Sequence, residues 1–296
     1  MGRVVVVVGP TAVGKTKVSI ELAKKLGCDI ISGDSVAVYK GLDIGSAKPT
    51  MSERDGVYHH LIDVKEPEDQ YNVAEFQCEA RKIMDSNELS LICGGTGLYI
   101  QSALFNYEFN APKRDFDFEK KFYEYSNDEL YKLLKTKDPS ITEERIHPNN
   151  RKRVLRALEI LETQNTSINT FNQKDVPLYD YFICYLSLPR EQLYERINKR
   201  VDVMMEEGLL SEVKGLYDKN IFPHAIGYQE FVPYFEGLIT LETAIDEVKK
   251  NSRHLAKRQE TWFKNQMTSH FYNVNLEDIE ATINEVYNDI SNWLVK

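Results

Sequence analysis

Five consecutive valines, Val4 to Val8, open a region in which short apolar runs alternate with segments whose apolar positions recur every three or four residues. A short continuous apolar run marks a strand covered on both faces, and its alternation with helical patterns is the sequence form of βαβ units on a parallel sheet. Val4 to Val8 is the first predicted strand, Lys15 to about Leu26 a helix with Val18, Leu22 and Leu26 inward, and Asp29 to Ser32 a second short strand. A helix near Val73 to Met84, with Phe76, Ala80 and Ile83 inward, precedes a third strand at Leu89 to Cys93 and the glycine turn Gly94-Gly95-Thr96-Gly97. Three strands thus end in polar or glycine-rich loops, and open parallel sheets bind ligands at the carboxyl ends of their strands.

From about Tyr107 the pattern changes to charged helical segments, with proline-marked turns at Asp138-Pro139 and His147-Pro148. Tyr181 to Leu186 then reads as a buried strand, so the chain returns to the sheet it left. The expected organisation is an α/β core from residues 1–107 and 181–296, a P-loop NTPase-like parallel sheet flanked by helices, with a helical insertion at 108–180. The remainder is mainly helical. Leu193, Ile197, Val201 and Met204 stripe one helix, Leu241, Ile245, Val248, Ser252, Leu255 and Trp262 a long second one, and Ile279, Ile283, Val286, Ile290 and Trp293 a last one.

A chain of 296 residues with 42% hydrophobic composition can bury a large core. No apolar run approaches the roughly 20 residues that cross a bilayer, and no charged segment with a cleavage site precedes the first strand. These features predict a cytoplasmic protein without membrane contact. Cys28, Cys78, Cys93 and Cys184 are scattered without Cys-x-x-Cys spacing, which predicts reduced core residues. The formal charge of −9 argues against a polyanionic partner, but the average hides two basic stretches. One holds Arg145, His147, Arg151, Lys152, Arg153 and Arg156; the other holds Lys249, Lys250, Arg253, His254, Lys257, Arg258 and Lys264.

Gly9-Pro10-Thr11-Ala12-Val13-Gly14-Lys15-Thr16 matches G-x-x-x-x-G-K-[ST] after a predicted strand and at the start of a predicted helix. Glycines at these places let backbone N–H groups turn toward phosphate oxygens, and the helix N-terminus adds a favourable dipole. Lys15 would neutralise phosphate charge and the Thr16 hydroxyl would ligate Mg²⁺. An ATPase normally places an acid at the end of a second apolar strand, whereas Leu89 to Cys93 runs into Gly94-Gly95. The acid that does end a strand is Asp34, after Gly33, where it can serve as a metal ligand or as a proton acceptor for a nucleophile.

These segments together resemble the tRNA dimethylallyltransferases. The resemblance rests on Gly9 to Thr16, Asp34-Ser35, Tyr39 to Thr50, Gly94 to Tyr99, Arg145 to Asn150, Arg196 to Gly208, Gly227-Tyr228, and Leu255 to Gln259 with Trp262, in order and over nearly the whole chain. It implies transfer of a dimethylallyl group from dimethylallyl diphosphate to N6 of adenosine 37, beside the anticodon of tRNA, by a monomeric Mg²⁺-dependent enzyme. Asp34 matches the carboxylate that accepts a proton from the adenine amine, a poor nucleophile because its lone pair is delocalised. Gly9, Thr11, Ala12, Val13, Gly14, Lys15 and Thr16, with Arg200 and Arg196 one helical turn apart, would hold the diphosphate and assist its departure. A base in an anticodon loop must be splayed out to reach such a pocket. Asp34, Ser35, Val36, Ala37 and Thr96 would receive it, while Lys152, Arg153, Arg156, Arg253, Lys257 and Arg258 would contact tRNA phosphates.

The segment Val36-Ala37-Val38 departs from the usual form after Asp-Ser, and no Cys/His cluster follows the last helix, as in the bacterial branch of the resemblance. Three rivals remain: a P-loop kinase of a small metabolite, an isopentenyltransferase acting on free adenine nucleotides, and a nucleotide-gated regulator. The basic segment Arg151 to Arg156 disfavours the first two, and Asp34 together with Gly94 to Tyr99 disfavours the third.

Overall fold

A computed structural model describes residues 2–107, 116–171 and 176–296. Its six strands form one parallel sheet in the order β3-β2-β4-β1-β5-β6. β1 (Arg3–Val8) is central, between β4 (Leu89–Gly94) and β5 (Asp180–Ser187). Val4 to Val8 are wholly buried, as a strand covered on both faces requires. β2 (Ile30–Ser32) pairs with β4, β3 (His59–His60) lies outside β2, and β6 (His270–Asn273) lies outside β5.

Two strands escape the hydrophobic pattern for physical reasons. β3 is two residues long, too short to register a period. β6 is an edge strand in which only Tyr272 is buried, so it lacks the apolar run of a central strand. The strand expected third is therefore the fourth in chain order.

The helices α1 (Lys15–Leu26), α2 (Met51–Arg54), α3 (Val73–Asp85) and α4 (Gly97–Leu104) belong to the first half of the sheet. α3 buries Phe76, Ala80 and Met84, so Met84 takes the inward place expected of Ile83. Within the segment 105–176 lie α5 (Phe116–Lys120), α6 (Asn127–Lys137) and α7 (Arg151–Gln164), whose buried Leu130, Leu134, Val154 and Leu158 make a separate apolar core. After β5 come α8 (Arg190–Glu207), α9 (Leu209–Tyr217), α10 (Val232–Phe235), α11 (Leu241–Gln266) and α12 (Ile279–Leu294). α8 buries the four expected residues Leu193, Ile197, Val201 and Met204. On α11 the buried line is Ala244, Val248, Ala256 and Phe263, leaving Leu255 and Trp262 half-buried.

The chain forms two compact units, Met1–Leu104 with Pro177–Lys296, and Phe105–Val176. The second is shorter at its end than the expected insertion at 108–180. Leu178 N–H donates to Leu104 C=O at 2.9 Å, so residues 177–180 already belong with the sheet, while Asn106 N–H donates to Val176 C=O and joins the two ends of the inserted segment. Residues 108–115 and 172–175 of that insertion lie outside the described residues. The cysteines differ from expectation as well: Cys184 is buried, Cys28 and Cys93 are half-buried, and Cys78 is exposed on α3.

Candidate active site

The loop from Gly9 to Thr16 joins β1 to α1, and three of its residues take positive φ: Gly9 at 150°, Ala12 at 65° and Gly14 at 108°. Gly9 is required by space too, because a Cβ there would collide with the Leu186 carbonyl of the neighbouring strand. Gly14 caps α1 with no side-chain hydrogen bond, so the first-turn N–H groups remain open to an anion. Lys15 folds back over the loop, its Nζ donating to the carbonyls of Gly9 at 3.0 Å and Pro10 at 2.8 Å. Burial pulls its pKa down to about 8; the nearby Arg200 cation adds to the shift, and Cys93 and Asp34 oppose it. Thr16 is exposed, and among the described residues its hydroxyl has no hydrogen-bond partner.

Asp34 follows Gly33 at the end of β2, close enough to Lys15 and Arg200 to stabilise both cations. Its Oδ1 accepts the backbone N–H groups of Val36 at 2.8 Å and Ala37 at 3.2 Å. Among the described residues no group donates to Oδ2. Val36 and Ala37 therefore orient the carboxylate through their backbone N–H groups, and the Ala37 side chain is buried. Ser35 N–H donates to Thr96 Oγ1 at 3.3 Å, and Thr96 Oγ1 donates to Ser35 Oγ at 3.4 Å. Thr96 N–H donates in turn to Gly33 C=O, and Gly33 N–H to Cys93 C=O. A Cβ at Gly94 would strike the Gly33 backbone, so the two loops touch where the glycines are.

Arg196 and Arg200, one turn apart on α8, both reach the phosphate loop. Arg196 Nε donates to Ala12 C=O at 2.9 Å, and Arg200 Nη1 to Thr11 Oγ1 at 3.2 Å. Burial lowers the pKa of the Arg200 guanidinium and Asp34 opposes that shift; it remains a cation.

Two supports have no role that the sequence assigns, although Gln259 and Trp262 lie in the resembling segments. Gln259 of α11 accepts Thr11 N–H through Oε1 at 2.9 Å and donates through Nε2 to Gly95 C=O at 3.1 Å. Trp262, one turn on, lies over Gly97 so closely that a Cβ there would collide with its ring. The second is Glu212 of α9. It accepts the N–H groups of Asp43 at 3.0 Å, Ile44 at 2.8 Å and Gly45 at 3.1 Å, and the Tyr228 hydroxyl at 2.7 Å. Lys48, whose side chain is 5% exposed, ties the same stretch together through Asp43 and Asp63 at 2.8 and 2.6 Å. The Tyr39 to Thr50 motif is thus held in shape behind the Asp34 loop.

The basic residues divide into two sets. Lys152, Arg153, Lys257 and Arg258 are exposed. Arg156 pairs with the buried Glu159 at 2.7 Å, and Arg253 donates to Asn198 Oδ1 at 2.6 Å, so both of these half-buried cations also have partners within the protein. Arg151 donates to the carbonyls of Tyr125 and Phe122, closing the α5–α6 turn onto α7.

A parallel sheet whose central strand runs into a G-x-x-x-x-G-K-[ST] loop, with a carboxylate after β2 on the far side of the neighbouring β4, defines the α/β class of this enzyme. The model of the IPP transferase family matches residues 37–266, and that of the Isopentenyl transferase family residues 2–70. The chain is 47% identical to the tRNA dimethylallyltransferase of Anoxybacillus flavithermus over 96% of its own length and 94% of that protein. It resembles the crystal structure of the tRNA delta(2)-isopentenylpyrophosphate transferase of Staphylococcus epidermidis with a TM-score of 0.73 and 39% identity, covering 99% of each chain. A eukaryotic dimethylallyltransferase crystallised acting on tRNA gives a TM-score of 0.83 at 29% identity, over 100% of this chain and 80% of that one. The chain belongs to the IPP transferase family, the tRNA dimethylallyltransferases.

Proposed function

We propose that the chain transfers the dimethylallyl group of dimethylallyl diphosphate to N6 of adenosine 37 in the anticodon loop of tRNA, releasing diphosphate. The observation that carries this reading is the placement of Asp34: a carboxylate with one oxygen fixed by backbone and the other open, beside the cations Lys15 and Arg200. Such an arrangement suits a reaction that loses a proton at one atom and a polyanionic leaving group at another. Asp34 Oδ2 accepts the proton of the adenine amine as its nitrogen attacks the allylic carbon. The carbon–oxygen bond breaks with its electron pair going to the diphosphate, whose charge is met by Lys15, Arg200, Arg196 and the open N–H groups at the start of α1.

Mg²⁺ fits this site in a limited way. Among the described residues no three His, Cys, Asp or Glu side chains converge on a metal position. Mg²⁺, however, commonly takes one protein oxygen and completes its shell with phosphate and water. The exposed, unpartnered hydroxyl of Thr16 suits that single role. When bound, the ion would supply further neutralisation of the leaving diphosphate.

Lys152, Arg153, Lys257 and Arg258, all exposed, supply the phosphate contacts of the tRNA. The flipped base is received by Asp34, Ser35 and Thr96. An acceptor competition tests the reading: labelled dimethylallyl diphosphate and Mg²⁺ are offered unmodified tRNA and free AMP together. Label appears on tRNA; label confined to AMP assigns the chain to nucleotide prenylation instead, and phosphate transfer from ATP would assign it to the kinases.

A further inference from the structure

The phosphate loop and the Asp34 loop must hold two reacting atoms in line, yet they end different strands, and among the described residues they share no direct side-chain hydrogen bond. One side chain joins the first to the turn that supports the second. Gln259 Oε1 accepts Thr11 N–H at 2.9 Å, and its Nε2 donates to Gly95 C=O at 3.1 Å. Thr11 is the residue whose hydroxyl receives Arg200, and Gly95 precedes Thr96, whose Oγ1 accepts Ser35 N–H beside Asp34. A path of hydrogen bonds and peptide links thus runs from the leaving-group cradle to the backbone of Ser35, the residue next to Asp34.

We infer that Gln259 is a positioning residue that fixes the diphosphate loop against the Gly94–Gly97 turn, so that the allylic carbon and the base nitrogen meet in register; this rests on the function proposed above. Four features support it. An amide is the side chain that can accept from one backbone and donate to another, and here both ends are used in that sense; reversing it would set N–H against N–H and oxygen against oxygen. Space confirms the fit, since a Cβ at Gly95 would collide with Gln259 Nε2. The side chain stands on a 26-residue helix, α11, whose Ala256 and Phe263 are buried on either side in sequence, so its backbone is held rigidly. Ala12 beside Thr11 sits at φ 65°, a conformation costly for alanine, which a loop retains only when its surroundings hold it.

A misplacement of about 1 Å between reacting atoms can cost about 100-fold in rate while leaving binding of each substrate nearly intact. The allyl diphosphate can also be captured by water: its carbon–oxygen bond breaks, diphosphate keeps the electron pair, and the water oxygen bonds to carbon and releases a proton, giving dimethylallyl alcohol. A displaced base favours this outcome, whereas a partly unfolded enzyme loses both reactions together.

The test compares wild type, Gln259→Leu and Gln259→Glu in melting temperature, pyrophosphate affinity, transfer to tRNA and release of dimethylallyl alcohol. For Gln259→Leu the inference predicts pyrophosphate affinity within about threefold of wild type, kcat for transfer lower by about 10–100-fold, and a raised ratio of alcohol to transferred group. Gln259→Glu keeps the acceptor for Thr11 and loses the donor to Gly95, so its transfer rate falls between the two. Wild-type transfer with an unchanged kcat in Gln259→Leu overturns the inference alone. So does a loss that follows the melting temperature, or one in which transfer and hydrolysis fall equally. If wild type transfers nothing to tRNA, the proposed function fails and takes the inference with it.

Discussion

Asp34 Oδ1 accepts the N–H of Val36 at 2.8 Å, two residues further along the chain, while among the described residues no group donates to Oδ2. This local turn separates two roles of one side chain. Asp34→Asn keeps an oxygen for the Val36 and Ala37 N–H groups and loses the proton acceptor, whereas Asp34→Ala loses both. Both variants should lower turnover by about 10²–10⁴-fold, the usual contribution of a general base. Filter binding should find tRNA affinity largely unchanged in Asp34→Asn. Full turnover in either variant would remove Asp34 from the proton transfer.

Lys15 gives the site a pH dependence whose sign follows from its environment. Burial holds its pKa at about 8 in the free protein, below its ordinary 10.5. The cation is therefore present below pH 8 and lost above it, and an anion that prefers the cation draws a proton onto Lys15 as it binds. Calorimetry with pyrophosphate should show affinity falling by about tenfold per pH unit above pH 8 relative to Lys15→Met, in which that linked proton is missing. Equal pH profiles for the two proteins would exclude Lys15 as the linked group.

The two kinds of arginine in the α7 segment should separate in the laboratory. Arg153→Ala removes an exposed cation, so tRNA binding should weaken and its log–log salt slope should drop by about one. Arg156→Ala removes an ion-pair partner of Glu159, whose side chain is 4% exposed, and should destabilise the protein by about 1–3 kcal/mol with little change in salt slope. Urea unfolding and salt-dependent binding of both variants check the division. A lost salt slope in Arg156→Ala would return that residue to the tRNA interface.

Arg200 and Arg196 should differ as well. Arg200 is the more buried of the two, lies near Asp34 and reaches Thr11 Oγ1, while Arg196 is exposed and reaches Ala12 C=O. Charge acts more strongly where water is excluded. Arg200→Ala should therefore lower kcat/KM for the allylic diphosphate by at least about tenfold more than Arg196→Ala, measured by initial rates.

Local chemistry was legible in the sequence where neighbouring residues make it. The loop from Gly9 to Thr16, the Asp34 turn and the α8 arginine pair are each set by spacing within one or two elements, and the structure brings them together at the strand ends. What escaped was long-range. Thr11 and Gln259 are 248 residues apart, and a glutamine on a helix carries no pattern that names its partners. Arg253 read as a free cation because Asn198, which receives it, stands on another helix and is uncharged. β6 escaped because an edge strand with three exposed residues of four has no apolar run to reveal it.

The most direct measurement of the proposed reaction is a product balance on single turnover. Unmodified tRNA, dimethylallyl diphosphate and Mg²⁺ are incubated with the protein, released diphosphate is counted, and the tRNA is digested and sequenced by mass. The account predicts one diphosphate per dimethylallyl group, with the group on N6 of adenosine 37. Diphosphate release without modified adenosine, or a group placed elsewhere in the tRNA, would contradict it.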